Sequence, residues 1–272
     1  MRARSVLYLP ASNARAVQKA RTLPCDMAVL DLEDAVAPEM KAEARATAVA
    51  AAREGGFGPR LGVRINGLDT PWGADDLKAL RDAPVALIVA PKVESAAMVH
   101  ALSEGIRAGA ALWAMIETPR ALVDLGEIAE AGGALSGLML GVNDLAKDLK
   151  TGASPDREPL KPWLAAIVAH GRANGLTIID GVFNRIQDEA GFAAECAQGR
   201  LYGFDGKSLI HPSQIERANA AFGPSVEEVE WARKVVAAFA TPEAAGLGVI
   251  RVEGEMVERL HLGQAQALLA DL

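Results

Sequence analysis

The sequence predicts an α/β protein whose main part is a (β/α)₈ TIM barrel. Half of its 272 residues are apolar and only 4% are aromatic, which is typical of buried parallel strands built from short aliphatic runs. Strand-like and helix-like segments alternate about eight times, as expected for parallel β/α architecture. No glycine-rich nucleotide fingerprint follows the first strand, where the sequence reads PASNAR. A closed barrel is therefore favoured over an open dinucleotide-binding sheet.

Eight aliphatic runs account for the predicted strands. They cover residues 5–10, 27–33, 61–66, 86–92, 111–117, 137–141, 177–183 and 203–211. Alanine-rich amphipathic segments lie between them and predict helices. The clearest of these segments cover residues 13–22, 38–52, 95–105, 119–131 and 162–174. A polar loop with three prolines, residues 151–162, is a candidate mobile flap.

The sequence after the eighth unit predicts a separate C-terminal extension. Residues 216–222 and 226–240 have a helical pattern, residues 246–254 are glycine-broken and β-branched, and residues 255–272 again predict a helix. We therefore divide the chain into a barrel catalytic domain, residues 1–222, and a helical extension, residues 223–272. An extension outside the eight units must either cap the barrel or dock on a neighbouring subunit.

Composition narrows the classes of partner. The net charge is −7 with an isoelectric point near 5.3, which argues against nucleic acid as a partner. No apolar run approaches the roughly 20 residues that cross a bilayer, and the N-terminal run is too short for a signal peptide. We expect a soluble, cytoplasmic protein without a membrane partner. Cys25 and Cys196 are far apart in sequence and are expected to be buried free thiols.

Polar residues occur at the predicted carboxyl ends of nearly all eight strands. In a (β/α)₈ barrel these ends form the face that carries the active site, and a systematic ring of charge there is costly without a function. The set comprises Tyr8, Asp31, Glu33, Asp34, Arg64, Asn66, Lys92, Glu94, Glu117, Asn143, Asp144, Asp180, Lys207 and His211.

Within this ring, Glu117 and Asp144 are the best pair of metal ligands. They follow adjacent strands and are hard oxygen donors, which suits Mg²⁺ with water and substrate completing its coordination. The alternative is a loop-bonded Glu117 and an Asp144 that caps a helix. Arg64 in VRIN can grip a substrate carboxylate bidentately or stabilise a developing enolate. It can equally be a structural partner of an acidic neighbour, and both roles can hold at once.

Basic residues near the start of the first helix offer a seat for phosphates in an otherwise acidic protein. Ser12 or Asn13 can cap this helix, and Arg15 and Lys19 are then i,i+4 neighbours on one face. A merely solvated helix face has the same pattern.

These residues together resemble a known family. The segments SVLYLPASNARAVQKA, LDLEDAVAPEMK, VRINGLDT, PKVES, IET, GVNDLAKDL, DGKSLIHPSQ and EGEMVE occur in this order. They are similar to the citrate lyase β-subunit-like CoA-ester lyases of the HpcH/HpaI aldolase superfamily, from Ser5 to about Leu269. The resemblance implies a (β/α)₈ barrel that assembles as a trimer or hexamer, with the C-terminal segment reaching a neighbour's active site.

Position by position, the resemblance also implies roles for individual residues. It places Mg²⁺, or Mn²⁺, on Glu117 and Asp144, and the acid group of the substrate on Arg64 beside Glu117. Glu33 and Asp34 would bind metal-bound waters or orient Arg64. Coenzyme A, as part of the substrate, would contact the side chains of Tyr8, Arg15, Lys19, Ile210 and His211.

One position departs from the family pattern. Most of these lyases read GKMVD near the C-terminus, whereas this chain reads GEMVE. Glu258 therefore replaces the aspartate that transfers a proton across the subunit interface. The extra methylene shifts the carboxylate by roughly 1 Å, a displacement that can cost on the order of 10²-fold in rate. His261 could share the proton transfer or be an ordinary surface residue.

The activity expected from these residues is Mg²⁺-dependent cleavage or formation of a carbon–carbon bond in a short hydroxyacyl-CoA, such as malyl-CoA or citramalyl-CoA. Because of Glu258, a (3S)-malyl-CoA thioesterase on the same site is an alternative. A citrate lyase-type β-subunit that acts within a complex is another. An aldolase acting on free keto acids would share the fold and metal pair but would not use the CoA-binding residues.

Overall fold

The computed structural model describes residues 3–270. The chain divides into two compact units, Met1–Phe222 and Gly223–Leu272. None of the helices in the described part is both long and apolar enough to span a bilayer. Cys25 and Cys196 are buried free thiols, as predicted.

The first unit is a closed barrel of eight parallel strands. Each strand pairs with the next along the chain, and β1 pairs with β8 to close the sheet, which confirms the predicted fold. The strands are β1 Ser5–Pro10, β2 Met27–Asp31, β3 Arg60–Arg64, β4 Leu87–Ala90, β5 Ala111–Ile116, β6 Leu135–Leu140, β7 Thr177–Asp180 and β8 Gly206–Leu209.

Ten helices lie around or between these strands. They are α1 Ala14–Ala20, α2 Lys41–Glu54, α3 Gly73–Leu80, α4 Ala96–Gly105, α5 Pro119–Val123, α6 Leu125–Glu130, α7 Val142–Asp148, α8 Lys161–Ala173, α9 Glu189–Tyr202 and α10 Ile215–Phe222. Three short 3₁₀ turns, Pro38–Met40, Glu158–Leu160 and Pro212–Gln214, precede α2, α8 and α10. The single helix predicted over residues 119–131 is two helices, because the backbone leaves the helical region at Asp124.

Alternation along the strands produces two apolar layers. On β1, Leu7 and Leu9 belong to the layer between sheet and helices, whereas Val6 belongs to the smaller cluster inside the barrel. Tyr8 packs against this inner cluster. Because successive side chains point to opposite faces of a strand, this parity decides which residues reach the barrel interior.

The described residues of the second unit form two α-helices, a 3₁₀ turn over Pro242–Ala244 and a β-hairpin. The helices and strands are α11 Val226–Phe239, β9 Val249–Val252, β10 Glu255–Glu258 and α12 Arg259–Ala270. Its small core consists of Ala232, Val235, Val252, Val257 and Ala265.

The prediction of a continuous helix over residues 255–272 was wrong at its start. Residues 255–258 pair antiparallel with β9, and the intervening Glu253 and Gly254 both have positive φ, 51° and 92°. Two consecutive residues with positive φ are typical of the type I′ turns that tight hairpins favour. The helix begins only at Arg259, and the last two residues of the predicted segment, 271 and 272, lie outside the described residues.

Candidate active site

The carboxyl-terminal end of the barrel encloses a cavity of about 370 Å³. Arg64 is the last residue of β3, and Glu117 directly follows β5. Tyr8 and Asp31 extend the inward-facing positions of their strands, two residues beyond Val6 and Val29. The cavity is lined by Tyr8, Leu9, Pro10, Asp31, Asp34, Ala35, Arg64, Met115, Glu117, Leu140, Gly141, Val142, Asn143, Asp144, Val182, Asn184, Ser208 and Ile210.

Arg64 is held rigidly by Asp31. Its Nε donates to one oxygen of this carboxylate at 2.7 Å, and its Nη2 donates to the other at 2.6 Å. The Asp31 carboxylate also accepts the backbone N–H of Glu33 at 2.9 Å and that of Ala35 at 3.1 Å. Both side chains are buried, so the guanidinium orientation is fixed before any ligand arrives.

The remaining nitrogen of Arg64 faces two further acids. Nη1 lies 2.8 Å from Glu33 Oε2 and 3.5 Å from Asp34 Oδ2. Glu33 is buried, and this burial raises the pKa of its carboxyl group. Asp34 is mostly exposed. The loop that carries both acids is held by Lys41, whose Nζ donates to the carbonyl of Glu33 at 2.7 Å.

Tyr8 lies beneath Arg64 inside the barrel. The guanidinium carbon is 5.1 Å from the centre of the phenol ring, a distance at which cation–π attraction operates. The Tyr8 hydroxyl donates to the sulfur of Met139, and burial raises the pKa of this hydroxyl. Tyr8 therefore lies at the inner end of the cavity, in contact with Arg64.

Glu117 and Asp144 both line the cavity, as the sequence predicted. Glu117 is 3% exposed. Burial first, and then the negative charge of Glu33, raises the pKa of its carboxyl group to about 7. Asp144 lies in the first turn of α7, whose N-cap is Gly141, so Asp144 is not the cap. A Cβ added at Gly141 would lie 2.3 Å from Glu117 Oε2, so only glycine leaves room for this carboxylate.

Lys92 belongs to the same site, although no specific role was predicted for it. Its backbone N–H donates to Glu117 Oε1 at 2.9 Å. Its Nζ lies 3.5 Å from Glu33 Oε1 and 3.5 Å from Asp144 Oδ2. The residue has a φ of 49°, a left-handed conformation that is uncommon outside glycine. The sequence signals for Lys92 were its position after the fourth strand and its place in the PKVES segment.

The basic residues predicted to seat phosphates lie away from the cavity wall. Arg15 and Lys19 are exposed on α1, whose N-cap Asn13 accepts the N–H of Ala16. Ile210 lines the cavity and is 37% exposed. His211 is exposed, and its Nδ1 accepts the backbone N–H of Ser213 at 3.2 Å as a helix cap.

Two members of the predicted ring, Asp180 and Lys207, lie elsewhere. Lys207 Nζ is 3.1 Å from Asp180 and 2.7 Å from Glu195 of α9. Arg157 of the 151–162 loop donates to Asp180 at 2.7 Å. These two cations hold the pKa of Asp180 below its usual range in spite of burial. The cluster faces the helical layer and ties the loop predicted to be a mobile flap to the barrel.

Glu258 lies in the second unit, at the end of β10, and is exposed. Its backbone N–H donates to Nδ1 of His261 at 2.9 Å. This bond occupies one imidazole nitrogen at the start of α12 and gives His261 a local structural role.

The donor set at the cavity suits a hard divalent cation with few protein ligands. Among residues 3–270, no group of three or more His, Cys, Asp or Glu side chains is arranged to hold a metal ion. Glu117 and Asp144 form a pair instead, and Mg²⁺ commonly binds one or two carboxylates and keeps several waters. Such a cation would stabilise the ionised form of Glu117, which burial and the negative charge of Glu33 disfavour.

Comparisons with known proteins find relatives that match nearly the whole chain. The model of the HpcH/HpaI aldolase/citrate lyase family matches residues 4–212. A (3S)-malyl-CoA thioesterase of Cereibacter sphaeroides (strain KD131 / KCTC 12085) is 46% identical, covering 98% of this chain and 93% of the relative. The citrate lyase subunit beta of Leuconostoc mesenteroides subsp. cremoris is 36% identical, covering 98% and 92%.

A solved structure is similar in fold and in sequence. It is the protein CitE from Mycobacterium tuberculosis in complex with magnesium, acetoacetate and coenzyme A, with a TM-score of 0.79 and 33% identity. The match covers 98% of this chain and 96% of that one. This chain belongs to the HpcH/HpaI aldolase/citrate lyase family.

Proposed function

We propose that this protein is a Mg²⁺-dependent thioesterase that hydrolyses a short 3-hydroxyacyl-CoA of the (3S)-malyl-CoA type. The observation that carries the proposal is one cavity in which the fixed cation Arg64 faces the carboxylates Glu117 and Asp144. Such a cavity fits an acyl group that bears both a carboxylate and a hydroxyl. The choice of hydrolysis is supported by the thioesterases that are 46% identical over nearly the whole chain.

Glu117 and Asp144 would hold the Mg²⁺ ion. When bound, the ion supplies a Lewis acid for the carboxylate and hydroxyl oxygens of the substrate. Glu117 is fixed by the backbone N–H of Lys92 and by its packing against Gly141. Asp144 is partly exposed, which leaves space for water and substrate beside it. The CitE complex with magnesium supports this assignment.

Arg64 would bind the substrate carboxylate and stabilise the charge that develops on the reacting carbonyl oxygen. Two of its nitrogens are committed to Asp31, which leaves Nη1 facing the cavity acids. A donor that is oriented in advance needs no reorganisation during the reaction, and this is the largest common source of transition-state stabilisation. Asp31 and Glu33 therefore act by positioning Arg64, and exposed Asp34 is available to metal-bound water.

The CoA moiety would extend from the cavity mouth past Ile210. Exposed Arg15 and Lys19 supply the positive charge for its phosphates in an otherwise acidic protein. His211, beside Ile210, would contact the thioester end from its capped position.

Glu258 of a neighbouring subunit would act as the general base within a homo-oligomer. Its side chain is exposed, and the same unit exposes the large apolar residues Leu247, Val249, Met256 and Leu260, which is typical of a docking surface. Glu258 would take a proton from water as the water oxygen attacks the thioester carbonyl. The carbon–sulfur bond then breaks, and the thiolate of CoA takes that proton, which yields malate and free CoA.

The test is incubation of the purified protein with Mg²⁺ and (3S)-malyl-CoA, with products resolved by mass. Malate with free CoA is the expected result. Glyoxylate with acetyl-CoA would overturn hydrolysis in favour of carbon–carbon cleavage. No turnover of this substrate or of citramalyl-CoA would overturn the acyl group proposed here.

The role of Glu258 is tested separately by Glu258→Asp. The shorter side chain should lower hydrolysis and raise cleavage to glyoxylate, because a shift of roughly 1 Å changes rates by about 10²-fold. Glu255→Asp on the same strand, also exposed, is the matched control and should change neither rate. If both rates survive Glu258→Asp unchanged, Glu258 does not select the reaction.

Carbon–carbon lyase chemistry is the second candidate, supported by the citrate lyase beta subunit that is 36% identical over nearly the whole chain. The same Arg64 would then stabilise an enolate, and Glu258 would protonate its carbon. If the protein acts instead as a subunit of a complex, it should bind an acyl-carrier partner but not free CoA. Tight binding of free CoA would exclude that arrangement.

A further inference from the structure

Lys92 contacts the acids of the cavity through two different groups. Its backbone N–H donates to Glu117 at 2.9 Å, while its ammonium lies 3.5 Å from both Glu33 and Asp144. Its backbone has a φ of 49°, a left-handed conformation that is unfavourable for a non-glycine residue. Backbone conformations of this kind are concentrated at functional sites.

The charges around Lys92 indicate what its ammonium group does in the cavity. The cation Arg64 is already bonded through two nitrogens to Asp31. Among the ion pairs formed within residues 3–270, Asp144 pairs only with Lys92. The Lys92 ammonium is therefore the cation that offsets the negative charge on the Asp144 side of the cavity.

The contact that Lys92 makes is suited to exchange. Its side chain is 46% exposed, and both of its carboxylate contacts are at 3.5 Å, longer than a tight hydrogen-bonded pair. Partly exposed pairs of this kind are weak and are screened by salt. The long flexible stem of lysine allows the ammonium to withdraw while the backbone N–H stays on Glu117.

We propose that Lys92 is a resident counter-ion that competes with the divalent cation for Asp144 and thereby sets the metal affinity of the site. The inference rests on the divalent-metal site of the proposed function and deepens it. Binding of the metal would displace the Lys92 ammonium from Asp144, so the apparent metal affinity is lower than the carboxylates alone would give. Lys92 is a positioning residue in this account, since it acts through the metal ligands.

The experiment measures metal binding to the metal-free protein without any substrate. Mg²⁺ affinity is determined by titration calorimetry, and Mn²⁺ affinity by the loss of the free-ion electron paramagnetic resonance signal. The variants are Lys92→Met, which removes the ammonium, and Lys92→Gly, which also removes the backbone strain and keeps the N–H. Lys147→Met is the control, because Lys147 is an exposed lysine on the same helix as Asp144.

Both Lys92 variants should bind Mg²⁺ and Mn²⁺ about tenfold more tightly than the wild-type protein. The reason is that a positive unit charge a few ångströms from a divalent cation repels it even in water. The control should bind as wild type does. The gain should shrink as salt concentration rises, because salt screens exposed charges. A loss of structure would weaken binding, so a gain in affinity that is confined to the two Lys92 variants identifies competition.

Three results would overturn the inference, and they differ in meaning. Unchanged or weaker binding in both Lys92 variants would show that the ammonium does not compete, and would leave the metal site itself intact. Tighter binding in the Lys147→Met control as well would show that the gain in affinity comes from the change in overall charge. If the wild-type protein bound neither ion, the proposal of a divalent-metal site would be refuted, and the proposed role of Lys92 would be refuted with it.

Discussion

Replacing Glu117 with glutamine should stabilise the metal-free protein, although the same change removes a proposed metal ligand. Glu117 is 3% exposed, and burial, followed by the charge of Glu33, raises its pKa from 4.5 to about 7. Its ionised form is therefore destabilised in the folded state. A glutamine can still accept the N–H of Lys92 through its amide oxygen and carries no charge to bury.

The size of the effect follows from the two pKa values. A difference of about 2.5 pH units between folded and unfolded states corresponds to roughly 3 kcal/mol when the group is fully ionised. The folded state binds more protons than the unfolded state between pH 4.5 and 7, so stability falls as pH rises through that window. Glu117→Gln should thus gain roughly 3 kcal/mol at pH 8 and less than about 1 kcal/mol at pH 5.

The assay is urea unfolding of both proteins in the presence of a chelator, followed by circular dichroism at pH 5 and pH 8. Glu130→Gln, an exposed position on α6, is the control and should change stability little at either pH. A gain that is equal at both pH values would refute the titration argument. A loss of stability at pH 8 would show that the Glu117 charge is favourable in the metal-free fold.

Three further changes test other contacts. Gly141→Ala should lower Mg²⁺ affinity at least tenfold in calorimetry, because its Cβ would lie 2.3 Å from Glu117 Oε2; unchanged affinity would mean that the carboxylate can move. Arg64→Lys should lower kcat/KM by roughly 100-fold or more, since lysine cannot reproduce the two bonds to Asp31; a near-normal rate would show that charge alone suffices. Arg157→Met should cost about 3 kcal/mol in urea unfolding through the broken buried ion pair, and a small change would show that the loop is held by other contacts.

The sequence was sufficient to predict the barrel and the paired acids of the cavity. Eight aliphatic runs separated by amphipathic segments specify the fold because each pattern has only one way to bury its apolar face. Arg64 and Glu117 could be placed because a barrel brings the carboxyl ends of its strands together. Nothing in the sequence indicates the left-handed backbone of Lys92, since that conformation is imposed by tertiary contacts.

Side-chain parity explains why part of the predicted ring was misplaced. Ile179 faces the barrel interior, so Asp180, the next residue, faces the helices. Lys207 precedes Ser208, which lines the cavity, and it is turned outward by the same rule. Counting positions from the inward residues, rather than from the strand ends alone, would have excluded both charges from the cavity.

The charges of the cavity acids would link the stability of the fold to binding of the proposed metal. Asp31 is satisfied by Arg64 and by backbone N–H groups, whereas Glu117 is buried with a raised pKa. A ligand that binds only the folded state stabilises that state by mass action. A divalent cation would have the largest effect where too few positive groups offset the negative charge of the carboxylates. Lys92 reduces that imbalance without removing it, because its ammonium reaches two acids only at 3.5 Å. A fully compensated site would be more stable without metal, and it would bind the metal less well.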